Sequence, residues 1–271
     1  MSQAQGTARS APGRDLRAAP NRSVTSWGAG GRWEAPALAA APGLVVAAVL
    51  VAALVVPAGP VVAVVVAVVV GAALALSVWF LSPRLLCWAA GARTARTHEQ
   101  PRVRNVTSGL TAAMGVAAPS LFVVGDPIPN AMVLGTTRRH ATLVVTAGLE
   151  ECLSRIELEG VVAHELAHVR ASDQVVGTVA GAVLAPLGTV VPACRRALAG
   201  PAARREARAD LLGVRATRYP PGLRSALAKM RDGPAPGPAR GRRMLVAHLW
   251  INPPGDHSGE LERRIEALDE L

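Results

Sequence analysis

The apolar positions of the chain are concentrated in its amino-terminal third. No charged residue occurs between Glu34 and Arg84. Inside this region, Ala37–Val56 and Val61–Leu81 each have the length of about 20 apolar residues that a bilayer-spanning helix needs. A Pro-Ala-Gly-Pro run separates them and is typical of a helix break. The pattern predicts a hairpin of two transmembrane helices over residues 35–83.

Arginines flank both ends of this hairpin, whereas the turn between its helices is uncharged. Residues 1–34 lack apolar periodicity, which predicts a disordered basic tail. Because Lys and Arg mark the cytoplasmic side of a membrane protein, we expect both ends of the hairpin, and the chain after it, on that side. The sequence therefore predicts an integral protein of a bacterial plasma membrane. The arginines that follow the hairpin are Arg84, Arg93, Arg96, Arg102 and Arg104.

Residues 84–271 alternate between helical and strand-like patterns. Leu121–Val124 reads as a strand, and two β-rich runs at 130–135 and 141–146 around a polar turn read as a hairpin. Residues 231–243 hold three prolines and three glycines and are predicted to be a disordered low-complexity loop. The fold class is therefore α+β, a mainly helical domain with a small β-sheet behind the transmembrane hairpin. The predicted helices are 106–116, 148–152, the segment after Ser154, 204–214, 220–230 and 261–271.

The sequence His164-Glu165-Leu166-Ala167-His168 is the clearest chemical signal. On a helix, residues four apart share one face, so both imidazoles can reach a single metal ion. Two imidazoles with a carboxylate and an open position form a hydrolytic zinc site, and Glu165 suits the general base. The alternative is that these are ordinary histidines of an amphipathic helix, since so short a pattern also arises by chance.

Several stretches in fixed order resemble the HtpX/CAAX-prenyl-protease family of membrane-anchored zinc metallopeptidases. They are Asn130-Ala131-Met132, Val145–Leu149, Glu157–Glu165, Glu206–Asp210, and Ile251-Asn252-Pro253 followed by His257 and Arg263-Arg264-Ile265. The resemblance implies a zincin-like fold of the gluzincin type and hydrolysis of peptide bonds, with one Zn²⁺ per chain.

The same resemblance assigns roles to particular residues. It implies that Glu206 is the third zinc ligand beside His164 and His168, and Asp210, one turn further on, then suits a partner for a ligand imidazole. Without the resemblance, both acids would be read as surface partners of nearby arginines. Asn130, Ala131 and Met132 are expected to offer a strand edge to an extended substrate, and His257 to stabilise the oxyanion. The family has His-Pro where this chain has His257-Ser258.

The uncharged segment 174–194 lies between His168 and Glu206. A single crossing of the bilayer here would put these two ligands on opposite sides, and two crossings need about 40 residues. We therefore predict a non-spanning insertion that either is broken by Pro186 into a re-entrant or interfacial pair or packs on the domain.

The composition and the distribution of charge argue against some classes of function. Hydrophobic residues make up 51% of the chain, and the net charge of +10 comes almost wholly from arginines in tails, loops and membrane flanks. Nucleic-acid binding is not predicted, because basic and aromatic residues are not interleaved on one element. The expected partners are the bilayer and membrane or misfolded protein substrates. The alternatives are a catalytically silent membrane adaptor that keeps the peptidase fold, and a membrane-surface module that depends on the basic tail.

Overall fold

The computed structural model of the chain describes residues 34–188, 191–255 and 258–271. The predicted basic tail, apart from Glu34, lies outside these residues. Two long helices come first, α1 (Glu34–Ala58) and α2 (Pro60–Ala90), separated by Gly59, and both are long and apolar enough to cross a membrane. The predicted hairpin is present, and α2 continues past Arg84 to a left-handed cap at Gly91.

Small residues let α1 and α2 approach closely. Gly43 lies against the backbone of Gly71, where a side chain would leave no room, and Ala39, Ala63 and Ala67 are buried. Small interfacial residues are how helices pack in lipid, where no hydrophobic effect drives association. The outward valines and leucines remain exposed, as expected of a lipid-facing surface.

The following domain combines a four-stranded sheet with helices packed around one central helix. The strand order is β1-β2-β4-β3, in which β2 and β4 are parallel and the two outer pairs are antiparallel. This confirms the α+β class, the Leu121–Val124 strand and the predicted hairpin. The elements are β1 (Arg93–Thr94), α3 (Pro101–Met114), β2 (Ser120–Val124), β3 (Ala131–Leu134), β4 (Thr142–Thr146), α4 (Ala147–Cys152), α5 (Arg155–Ala171), α6 (Asp173–Gly188), α7 (Pro192–Thr217), α8 (Pro220–Asp232) and α9 (Ser258–Asp269), with 3-10 turns at Gly241–Leu245 and Ala247–Leu249.

Helix α5 is the centre of the domain and is buried along most of its length. Gly160 makes room for the backbone of α8 at Leu223, and Gly213 of α7 fits against the backbone of His164. A Cβ at Gly213 would lie 2.9 Å from the backbone nitrogen of His164. The glycine thus brings α7 close to the part of α5 that carries the histidines.

Helix α6 corresponds to the predicted non-spanning insertion. It has 16 residues, a length of about 24 Å that falls short of the roughly 30 Å of bilayer hydrocarbon. Val175 and Val179 pack against Ala35 and Ala39 of α1, so α6 joins the domain to one end of the hairpin. Pro186 lies inside its last turns rather than breaking it in two. That the segment does not span stays a prediction.

The predicted low-complexity loop is shorter than expected. Helix α8 continues to Asp232, and a 3-10 turn begins at Gly241. Met230 on the last turn of α8 is fully buried, so packing extends the helix to the edge of the proline-rich stretch.

Candidate metal centre

Helix α5 begins at a complete capping box. The Ser154 side chain accepts from the backbone N–H of Glu157, and the Glu157 carboxylate accepts from the backbone N–H of Ser154. This arrangement satisfies two of the helix's unpaired N–H groups and fixes where the helix begins. Ten residues beyond the cap, His164, Glu165 and His168 lie in a part of α5 that is almost wholly buried.

Glu206 of α7 completes a group of three side chains. Its two carboxylate oxygens lie 3.3 Å from Nε2 of His164 and 3.4 Å from Nε2 of His168. The two imidazole rings are 4.9 Å apart between centroids and nearly perpendicular. One ligand atom from each of the three residues lies within 4.8 Å of the others. The structure therefore brings together the three residues predicted as metal ligands.

The donor set fits a zinc ion. Zinc takes His nitrogens and carboxylate oxygens at about 2.0–2.2 Å in tetrahedral geometry, which separates neighbouring ligand atoms by about 3.3–3.6 Å. The two imidazole-to-carboxylate separations match that spacing. Nε2 of His164 is buried, and although Glu206 lies 3.3 Å away, no hydrogen bond to it is formed by the residues that the structure describes. A metal ion would relieve the cost of this unsatisfied buried nitrogen.

Behind His164, a carboxylate and a guanidinium form a buried series of polar contacts. Nδ1 of His164 lies 2.7 Å from Asp210, the predicted imidazole partner. Arg264 of α9 binds both oxygens of Asp210, at 2.8 and 2.7 Å. The same guanidinium lies 3.2 Å from Glu206 and donates to the carbonyl of Ile251 at 3.2 Å. Arg264 therefore holds two acids of the cluster and a loop carbonyl at once.

A similar series of polar contacts, from imidazole to aspartate to arginine, lies behind His168. Nδ1 of His168 lies 3.8 Å from Asp173 at the start of α6. Arg208 of α7 binds the other oxygen of Asp173. Asp173 directly follows Ser172, the left-handed cap of α5. The φ of 67° at Ser172 turns the backbone into α6, which begins at Asp173. Both histidines thus present one nitrogen to Glu206 and the other to an aspartate.

The charges of the cluster favour a cation. Burial lowers the pKa of His164 and of His168, but the neighbouring carboxylates outweigh it and raise both. Burial alone would raise the pKa of Glu206, yet the two neighbouring imidazoles and the charge of Arg264 hold it well below the usual range. Glu206 is therefore ionised at neutral pH. A site that stabilises positive charge on two imidazoles also suits a divalent ion.

Glu165 differs from Glu206. Its side chain is buried next to His164, with an exposed fraction of 2%. Burial raises its pKa above the ordinary carboxyl range. A carboxylate with a raised pKa is a better proton acceptor near neutral pH, which is the property required of a general base.

The predicted substrate-binding residues lie at the edge of the sheet, on and beside β3. Asn130 exchanges hydrogen bonds with the backbone of Asn252, at 2.6 and 3.0 Å. The Ala131 carbonyl accepts from the N–H of Ile251 at 2.9 Å. The polar groups of Asn130 and Ala131 are therefore already used inside the chain, and Met132 is fully buried. A substrate strand at this edge stays a prediction, and it would have to pair beyond these two residues.

His257, the predicted oxyanion-stabilising residue, lies outside the part of the chain that the structure describes. Asn252, five residues before it, was assigned no role from the sequence. Its side chain is 4% exposed, and its amide nitrogen makes no hydrogen bond to the described residues. This buried donor lies next to the carbonyl that Arg264 holds.

Comparison with known proteins identifies the family. The model of Peptidase family M48 matches residues 97–200. A Protease HtpX homolog of Tropheryma whipplei (strain Twist) is 32% identical over an alignment of 209 positions that covers 65% of this chain and 71% of that protein. The chain belongs to the HtpX/M48 peptidase family. A Protease HtpX homolog of Pyrococcus furiosus is 28% identical over 72% of this chain and 81% of its own length. No solved structure matches the chain significantly.

Membership in the M48 family makes the chain a membrane metallopeptidase, which acts on proteins and uses a metal, typically zinc. The segment matched by the M48 model includes His164 and His168 and ends before Glu206. The grouping of Glu206 with the histidines is an independent observation, because it comes from the packing of α7 on α5.

Sequence reasoning missed the roles of Arg264 and Asp173. The signal for Arg264 was present, since Leu261, Ile265 and Leu268 form the buried stripe of α9 and Arg264 falls on that stripe. A charged residue at an apolar position of an amphipathic helix indicates a buried partner. Asp173 gave no comparable signal, because its contact depends on the tight turn at Ser172.

Proposed function

We propose that this chain is a zinc-dependent endopeptidase with one Zn²⁺ held by His164, His168 and Glu206. The observation that carries the proposal is the convergence of these three side chains from two helices, with Glu165 buried beside His164 on α5. A bound zinc ion supplies Lewis acidity, polarising a peptide carbonyl and making water a stronger acid. The proton transfers and the positioning of the ligands depend on the side chains of the protein.

Glu165 acts as the general base and proton carrier. Its raised pKa lets it accept a proton from the attacking water and return it to the leaving amine. Asp210 accepts the Nδ1 proton of His164, which leaves Nε2 unprotonated and directed at the cluster. His257 remains a candidate for stabilising the oxyanion, and the buried Asn252 amide is a second candidate donor.

The substrates proposed are membrane or misfolded proteins, cut on the cytoplasmic side. The arginines after α2 support that side by the positive-inside rule. The domain packs through α6 on one end of the transmembrane hairpin, which keeps the candidate centre close to the bilayer. Segments that emerge from the membrane are therefore within its reach.

The test combines metal analysis with casein hydrolysis for the wild type and three variants. We expect about one zinc per wild-type chain. Glu165→Gln should keep the zinc and lose activity by about 10²–10⁴-fold, the usual contribution of a general base. Glu206→Gln should lose zinc and activity together. Glu159→Gln, on an exposed position of the same helix, is the matched control and should match the wild type in both measurements.

Two results would contradict the proposal. Equal activity of wild type and Glu165→Gln would show that Glu165 is not the general base. A wild type that is purified without metal and is not activated by added zinc would show that the three side chains do not form a zinc site. Zinc binding without hydrolysis of any protein substrate would favour the silent adaptor instead.

A further inference from the structure

Helix α2 carries an exposed apolar surface beyond the length needed to cross the bilayer. Its 31 residues extend about 46 Å, whereas the hydrocarbon layer takes about 20 residues. The exposed face continues through Leu81 and Leu85 to Trp88, which is 57% exposed. Such a large exposed ring is typical of the membrane interface, where tryptophan anchors a helix.

With Leu81 taken as the last residue of the apolar span, Arg84 and Trp88 are expected at the depth of the phospholipid headgroups. Arg84 is three residues past Leu81 and Trp88 is seven, which correspond to about 5 and 10 Å along the helix. Helix side chains lean toward the amino terminus, and here that means back toward the bilayer. The headgroup layer is about 5–7 Å thick on each side of the hydrocarbon, so both side chains reach it. Because they are four residues apart, they share one face of α2.

Arg242 comes to the same place from a distant part of the chain. Its guanidinium carbon lies 4.7 Å from the centroid of the Trp88 ring, within the range of a cation–π contact. Both Arg84 and Arg242 are exposed, and neither forms an ion pair with a carboxylate within the described ranges. One guanidinium therefore lies over an exposed aromatic ring, a second arginine lies one helical turn away on the same face, and neither has a carboxylate partner among the described residues.

We propose that Arg84, Trp88 and Arg242 form a binding site for the phosphate headgroup of an anionic phospholipid. Arginine binds phosphate oxygens with two parallel N–H donors and is less strongly hydrated than lysine, so it suits this contact at a partly dry interface. The continuous apolar face of α2 would take the acyl chains, and this selects a lipid over a soluble phosphate.

The site is connected to the candidate metal centre through residues 241–252. Val246, four residues after Arg242, is buried against the end of α2 with Leu86. His248 lies 3.3 Å from the carbonyl of Gly177 on α6. Near the end of the segment, the carbonyl of Ile251 accepts a hydrogen bond from Arg264. A lipid that holds Arg242 in place thus holds the segment that supports the buried arginine of the metal centre.

The experiment measures which lipids the full-length protein retains. The protein is incorporated into nanodiscs of equal parts phosphatidylglycerol and phosphatidylcholine, extracted gently, and analysed by native mass spectrometry. We expect the wild type to retain phosphatidylglycerol in excess. Because each arginine at an anionic surface contributes about fivefold to binding, Arg84→Gln with Arg242→Gln should lower that excess by about tenfold or more. Trp88→Leu keeps both arginines and should lower it by less.

Arg155→Gln is the control, because Arg155 lies at the opposite end of α5 from the helix that packs on the hairpin. It should retain phosphatidylglycerol like the wild type. Equal retention by the double variant and the wild type would overturn the proposal, as would full displacement of the lipid by millimolar inorganic phosphate, since the site would then recognise phosphate alone. The readout does not involve hydrolysis, so it is independent of the proposed peptidase activity.

Discussion

The two histidines of the candidate metal centre are supported in the same way but not equally well. Each turns its Nδ1 toward an aspartate, and each aspartate is held by an arginine. On the His164 side, the imidazole-to-aspartate distance is 2.7 Å and the arginine side chain is 8% exposed. On the His168 side, the distance is 3.8 Å and the arginine is 23% exposed.

The difference follows from where the supporting residues come from. Asp210 lies one helical turn after Glu206 on the same rigid helix, and Arg264 closes over both from α9. Asp173 lies instead at a helix start, just after the tight turn that follows α5. We infer that the His164 side fixes the geometry of the centre, whereas the His168 side can adjust when a metal or substrate binds.

The largest difference between the two sides is expected when the arginine of each side is replaced in turn. Arg264→Gln leaves the buried Asp210 and the partly buried Glu206 without their arginine, which should lower the free energy of unfolding by about 3–5 kcal/mol. Arg208→Gln removes a partly exposed ion pair and should cost about 1 kcal/mol. Urea unfolding of the detergent-solubilised protein, with a chelator present so that zinc does not contribute, measures both.

Arg263→Gln is the matched control for Arg264→Gln. Arg263 is the exposed neighbour on the same helix and should leave the free energy of unfolding within about 0.5 kcal/mol of the wild type. If Arg264→Gln and Arg208→Gln proved equally destabilising, the two sides would be energetically equivalent and the inferred division between a fixed and an adjustable side would be wrong.

The aspartates test the same comparison through metal affinity, with a smaller expected effect. Replacing a carboxylate that orients a ligand imidazole typically lowers metal affinity by about 10–100-fold. We expect Asp210→Asn to fall in this range and Asp173→Asn to stay below about tenfold, because its contact with the imidazole is longer. Zinc competition with a chromophoric chelator measures both affinities. Asp269→Asn, at an exposed ion pair, should bind zinc like the wild type, and a larger loss for Asp173→Asn than for Asp210→Asn would reverse the assignment.

Much of the fold could be predicted because the relevant signals are local. The uncharged run between Glu34 and Arg84 indicates a membrane hairpin whatever it packs against, and the strands around 121–146 are indicated by short β-rich runs that turn residues separate. The lengths of the elements were less predictable. Helix α7 begins at Pro192, well before the predicted start at 204, and α3 begins at Pro101. Tertiary packing and the preference of proline for a helix start extend both beyond the local pattern.

The site was predictable only where the motif is contiguous. His164, Glu165 and His168 are read from one helical turn, and Glu206 required the family resemblance because no spacing rule links it to them. Arg264 could not be assigned in the same way, since it meets His164 across 100 residues of sequence. Its neighbour Arg263 is chemically identical, and only the direction of the buried face of α9 distinguishes the two.

The amino-terminal end of α5 provides the smallest test, and one free of the metal. Burial raises the pKa of Glu157, but hydrogen bonds from Lys229, Ser225 and Ser154 outweigh it and lower the pKa to about 2. Because the folded pKa is below the unfolded value, this group stabilises the fold above about pH 5 and loses that effect as the pH falls toward 2. With the half-exposed Lys229 discounted for solvent screening, the contribution is about 1–2 kcal/mol at pH 7. Glu157→Gln should therefore be less stable than the wild type at pH 7, and the gap should narrow in urea unfolding at pH 3. A gap that stayed constant between the two pH values would show that the capping box stabilises α5 by its shape alone, and not through the charge that Lys229 meets.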